Sequence, residues 1–136
     1  MIIVKIYIMI EQRISIKTAA LACEKGFNIN TGANCWLKTL DGEIIHNSER
    51  EHKIEHDRCE LYLRQPTQSL LQKWVREKHD LHVEVQYINS PVEEKWMYEI
   101  LRIPKGIAVL WDAKLYYDTF EEALEAGLLN ALSLIK

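Results

Sequence analysis

The sequence predicts an α+β fold, an antiparallel, hairpin-built sheet carrying a single layer of about three helices. Three observations predict it. Apolar residues recur at helical spacing in three separated stretches, each preceded by a Ser or Thr able to cap it. Immediately after the second stretch the period changes to strict alternation, the mark of a strand buried on one face. Turn signals, Asp-Gly among them, fall between β-prone runs as hairpins require. The 136 residues fit one domain, 1–136. A globule of that size removes roughly two-thirds of its unfolded surface from water, so a self-sufficient core is expected.

The first ten residues, "MIIVKIYIMI", are apolar but interrupted by Lys5, and "EQRISIK" follows instead of a small-residue cleavage site. That pattern does not make a convincing signal peptide. Ten residues also fall short of the roughly 20 that a bilayer span needs. Three readings stay open: an edge β-strand, an upstream extension with the natural start at Met9, and an interfacial or partner-binding segment. In residues 15 to 26, Ile16, Ala19, Ala20 and Cys23 form one stripe that Phe27 continues, with Ser15 as N-cap and Gly26 as the terminating residue. Cys23 is thereby expected in the core, behaving as a small hydrophobe.

Residues 35 to 45, "CWLKTLDGEII", hold Asp-Gly between two β-prone runs. This predicts a hairpin with a type I′ turn, which needs positive φ at both central residues. From His46 to Glu60 the chain is polar with one aliphatic residue, and is expected as a mobile loop or an exposed helix. Thr67 caps a helix running to about His79, with Leu70, Leu71, Trp74 and Val75 inward and Gln72, Lys73, Arg76 and Glu77 outward. "LHVEVQYI" then alternates, putting Leu81, Val83, Val85 and Tyr87 on one face. Beyond the turn-like "NSPVEE", Trp96, Tyr98 and Ile100 share a face, completing a second hairpin. One or two further strands are expected between Gly106 and Tyr117. Thr119 and Glu122 form a capping box for a core helix to about Ile135, whose apolar face includes Phe120, Ala123, Leu124, Gly127, Leu128, Ala131 and Leu132. Gly127 in mid-helix costs about 1 kcal/mol relative to Ala, and close approach to a neighbouring element explains it.

"TAALACEKGFN", "PTQSLLQKWVREKHDLHVEV" and "TFEEALEAGLLNALSLI" resemble a family of small uncharacterised proteins of Bacteroides-type gut bacteria and of their phages and mobile elements. The resemblance covers the chain except its first ten or so residues and stretches 41 to 60 and 89 to 114. It implies a compact intracellular α+β protein in a phage-rich genomic setting, and no activity, cofactor or catalytic residue.

Composition narrows function. Hydrophobic residues at 48% and charged residues at 27% are ordinary for a globular domain, which argues against disorder. A net charge of −3 makes nucleic acid an unfavoured partner, because phosphate contacts need cations. Cys23, Cys35 and Cys59 are an odd set without paired spacing, so a disulfide framework is not indicated and a reducing cytoplasm is the expected location. No Gly-x-Ser-x-Gly elbow, HExxH helix or phosphate-binding glycine loop occurs, leaving enzyme function unsupported.

The expected function is a non-enzymatic binding or accessory module acting by protein–protein contact with another protein or with a second copy in a homodimer. Lys73, Arg76, Lys78, Trp36 and Trp111 are its candidate contact residues. Exposed members of the aromatic set Trp36, Trp96, Tyr98, Trp111, Tyr116 and Tyr117 would supply an apolar patch. The alternative is a metal-binding protein or metal-dependent enzyme. His52, His56 and Cys59 fall at i, i+4 and i+7 with His46 nearby, all zinc-ligand types, although Glu49, Glu51, Glu55 and Asp57 suit a hydrated loop equally well. A third reading is nucleic-acid binding through the basic face of helix 67–79.

Overall fold

A computed structural model describes residues 11–48, 59–89, 91, 94–111 and 116–136. Its elements run α1 (Ile16–Glu24), β1 (Cys35–Thr39), β2 (Ile44–Asn47), β3 (Cys59–Arg64), α2 (Gln68–His79), β4 (Leu81–Asn89), β5 (Glu94–Arg102), β6 (Ile107–Trp111) and α3 (Phe120–Ser133). This is the expected α+β class with three helices and antiparallel strands. The strands divide between two three-stranded sheets, β2-β1-β3 and β4-β5-β6. The division falls where the chain leaves β3. Pro66 has no N–H to donate to a ladder, and Thr67 turns the chain into α2 by accepting from the Leu70 amide at 3.2 Å.

The first hairpin is present, with a different turn. Gly42 N donates to Thr39 O at 3.0 Å and Thr39 N to Glu43 O at 2.9 Å. Gly42, at φ 84°, is the residue of this turn with positive φ. A type I turn followed by a left-handed glycine gives this pattern, and it asks nothing unusual of Asp41. The polar stretch 46–60 is strand at both ends, since His46 lies in β2 and Cys59 and Glu60 in β3; its middle, 49–58, and the N-terminal 1–10 lie outside the described residues. Between Gly106 and Tyr117, β6 is followed by an isolated bridge of Tyr117 to Trp96.

α1 turns a different face inward from the one its larger side chains suggest. Thr18, Ala19 and Ala22 are buried, whereas Ile16, Ala20 and Cys23 are exposed. The reason is local chemistry. Small residues let α1 approach α3 closely, and the Thr18 hydroxyl donates to Glu125 Oε1 at 2.8 Å, so its burial leaves no unsatisfied polar group. Exposed Ile16 and Cys23 lose part of their transfer energy in exchange.

α2 and α3 follow their spacing. Leu71, Trp74 and Val75 are buried, with the Trp74 ring edge-on to Phe27 at 5.3 Å. α3 buries Ala123, Leu124, Gly127, Leu128, Ala131 and Leu132 against β4 and β5. A Cβ on Gly127 would stand 2.5 Å from Val83 Cγ1 and 3.1 Å from Tyr98 Cγ. The glycine is therefore a contact surface for the sheet, and its propensity cost is offset by the packing it permits. Val83 and Ile100 beneath it are fully buried, so the core sits between the second sheet and these two helices.

Candidate functional site

Alternation in β4 carries one side-chain row from the core out to solvent. Leu81 and Val83 are buried, Val85 is half-buried, and Tyr87 at the far end is 46% exposed. Antiparallel register sets Tyr87 directly opposite Trp96 on β5, their ring centroids 5.0 Å apart. Trp96 is held on its other side by the Tyr117 backbone, each amide donating to the other's carbonyl at 2.8 Å. Two residues later Thr119 caps α3, which brings Phe120 edge-on to Trp96 at 5.6 Å. Tyr87, Trp96 and Phe120 thus make a continuous aromatic ridge across strand and helix. Phe120 is 40% exposed and nearby Tyr116 49%. Offset and edge-to-face contacts of this kind fix ring orientation while leaving apolar surface in water.

Beside the ridge the three helices begin. The caps Ser15, Thr67 and Thr119 accept from the amides of Thr18, Leu70 and Glu122 respectively. A cleft of about 650 Å³, lined by residues including Ser15, Thr18, Gln68, Tyr117, Thr119 and Glu125, reaches the first turn of each helix. A neighbouring hollow of about 450 Å³ shares Gln12, Gln68 and Glu121 with it and adds Glu11 and Phe120. Glu125 ties the helices together. Its Oε1 accepts from the Ser15 amide at 2.7 Å and the Thr18 hydroxyl at 2.8 Å, and its Oε2 from Gln68 Nε2 at 3.2 Å. Buried Gln68 also donates to Glu121 O at 2.9 Å. A carboxylate accepting an amide at a helix start is stabilised by the helix dipole as well as by the hydrogen bond.

The residues singled out in the sequence are dispersed. Lys73 and Lys78 are exposed on α2 and Arg76 is half-exposed, and Lys73 Nζ lies 4.0 Å from Glu77 Oε1 across one helical turn. Exposed pairs of that kind are weak, and Trp74 beneath them is buried, so the basic face is wetted over a core indole. Trp36 is half-buried, packed on the core and tilted against His46 at 5.2 Å. Trp111 ends β6, paired with Glu99. Lys73, Arg76 and Lys78 lie on α2 and Trp36 on β1, on elements other than those that carry the ridge.

Of the metal candidates, His52 and His56 lie outside the described residues, Cys59 is half-buried in β3, and His46 is engaged elsewhere. His46 Nε2 lies 2.6 Å from Gln65 Oε1, while Gln65 Nε2 donates to Ile14 O at 3.0 Å. That second bond turns the amide oxygen toward the ring, so His46 Nε2 is the donor of the first. No group of three or more His, Cys, Asp or Glu side chains able to hold a metal occurs among the described residues. Cys35 is buried; desolvation pushes its thiol above the ordinary value, outweighing the hydrogen bond from Asn47 and the charge of Arg64. A thiol held protonated is a poor nucleophile.

Sequence spacing identified Tyr87 and Phe120 as inward members of their faces, and it missed that both stand at the ends of those faces. No described helix is long and apolar enough to cross a membrane. Comparison of the chain with family models, with curated proteins and with solved structures finds no match.

Proposed function

We propose that the protein is a non-enzymatic binding module that acts by protein–protein contact through the aromatic ridge. The observation that carries this reading is the alignment of Tyr87, Trp96 and Phe120 in one contiguous, partly exposed row on rigid elements. Aromatic rings are over-represented at the energetic centres of protein interfaces, because they bury a large area at little cost in conformational freedom. The ridge is anchored on β4, β5 and the start of α3, so it needs little reordering on binding. Rigid presentation of this kind cuts the entropic cost of association.

Affinity capture from a lysate of the source cells, done in parallel with native protein and a Tyr87→Ser/Phe120→Ser variant, tests the reading. A partner retained by the native chain and lost from the double variant supports it. Retention by both proteins refutes it. Light scattering over a range of concentrations, on the same two proteins, shows whether that partner is a second copy.

A further inference from the structure

The ridge does not end in neutral surface. Phe120 lines the smaller hollow and Tyr117, the backbone partner of Trp96, lines the larger cleft, so aromatic row and helix-start cleft are continuous. Glu11, Glu121, Glu122 and Glu125 line the two, and among the described residues neither lining contains a lysine or an arginine. Helix N-termini contribute positive potential there, about half an elementary charge each and only within the first turn. Three such ends offset at most about 1.5 charges of the four carboxylates. The described lining stays negative. Glu125 is satisfied by three donors within the protein, and Glu11 accepts from the Ser69 hydroxyl. Glu121 and Glu122, both exposed on the first turn of α3, are the carboxylates turned to solvent beside Phe120.

Resting on the contact reading above, we infer that the partner presents a cationic amphipathic segment: apolar side chains seated on Trp96 and Phe120, with lysine or arginine reaching Glu121 and Glu122. An acidic segment would meet like charge at the cleft, and a purely apolar one would leave carboxylates facing unmatched surface. Charge complementarity at the rim sets orientation and encounter rate, while the aromatic row supplies the area. The basic face of α2 differs, since its cations overlie a buried indole.

Panning a display library of random peptides against the native protein, with a Phe120→Ser variant as counter-selection, tests the inference. The expected result is enrichment of peptides with net positive charge and interspersed apolar residues. Binding of these peptides, measured by fluorescence anisotropy, should weaken about tenfold or more in Phe120→Ser. In Glu121→Gln/Glu122→Gln it should weaken several-fold and lose most of its dependence on salt. Lys73→Ala should bind as the native protein does. Neutral or anionic peptides that still depend on Phe120 would overturn the cationic inference and leave the contact reading standing. Peptides indifferent to Phe120, or no enrichment at all, would overturn both. Circular dichroism verifies that each variant is folded, which the exposure of all four substituted side chains favours.

Discussion

The two sheets of this protein are built alike, three antiparallel strands each, and differ in how they are covered. The second sheet lies under α2 and α3, and its inner row of Leu81, Val83, Tyr98 and Ile100 is buried almost completely. The first sheet meets α1 through β3, and leaves Ile44, Leu61 and Tyr62 exposed. Each sheet has one slip in its ladders, between Trp36 and Leu37 where β1 meets β3 and between Ile100 and Leu101 where β5 meets β6, while β4 pairs with β5 without a break. This β4–β5 ladder is the one on which α2 and α3 pack. A fully covered face penalises any residue that points the wrong way, whereas a half-covered one tolerates an irregular strand.

Four measurements break or sharpen that comparison. The largest effect is expected for Ile100→Ala beneath α3, which should lose about 3 kcal/mol in a denaturant titration, while Leu61→Ala in the first sheet should stay within about 0.5 kcal/mol. Similar losses at the two sites would mean that the sheets are equally covered. Glu125→Ala leaves the Ser15 amide and Thr18 hydroxyl without their acceptor, and should cost about 1–2 kcal/mol. A neutral outcome there would detach α1 from the helix layer energetically.

Gly127→Ala is expected to destabilise by about 1 kcal/mol net. Overpacking against Val83 and Tyr98, worth about 1–3 kcal/mol, exceeds the gain of about 1 kcal/mol in helix propensity. Stabilisation instead would show that the second sheet yields locally. The smallest effect concerns thiols. Exposed Cys23 should be alkylated in the native state at neutral pH, and buried Cys35 only on unfolding, as mass spectrometry of the modified peptides would reveal. Because burial raises the Cys35 value, the native thiol holds its proton more tightly than the unfolded one. Its contribution to stability is complete at neutral pH and declines as pH rises through the alkaline range. Rapid native labelling of Cys35 would contradict the cover assigned to that part of the first sheet.

Which elements could be read from spacing follows the same division. α2, β4 and α3 each carry a wide apolar face buried against a partner, and Thr67, Thr119 and the period change after His79 mark their limits. α1 misleads because its buried face is small and only partly polar: beside Ala19 and Ala22, Thr18 is inside by virtue of Glu125, a residue 107 positions away. The cleft was equally illegible. Gln68 and Glu125 look like ordinary surface residues of two helices until the helices are brought together. The ridge was half-legible, since its rings could be counted in the sequence but their exposure could not.

The sequence by itself determined the α+β class, three capped helices, the hairpins and the inward faces of α2, β4 and α3, because hydrogen bonding and hydrophobic periodicity act over a few residues. Tertiary structure alone decided the separation into two sheets, the face α1 buries, the convergence of three helix starts on one acidic cleft, and the aromatic row beside it. Those depend on contacts between segments tens of residues apart, where a side chain's environment is set by its partner and not by its neighbours in the chain.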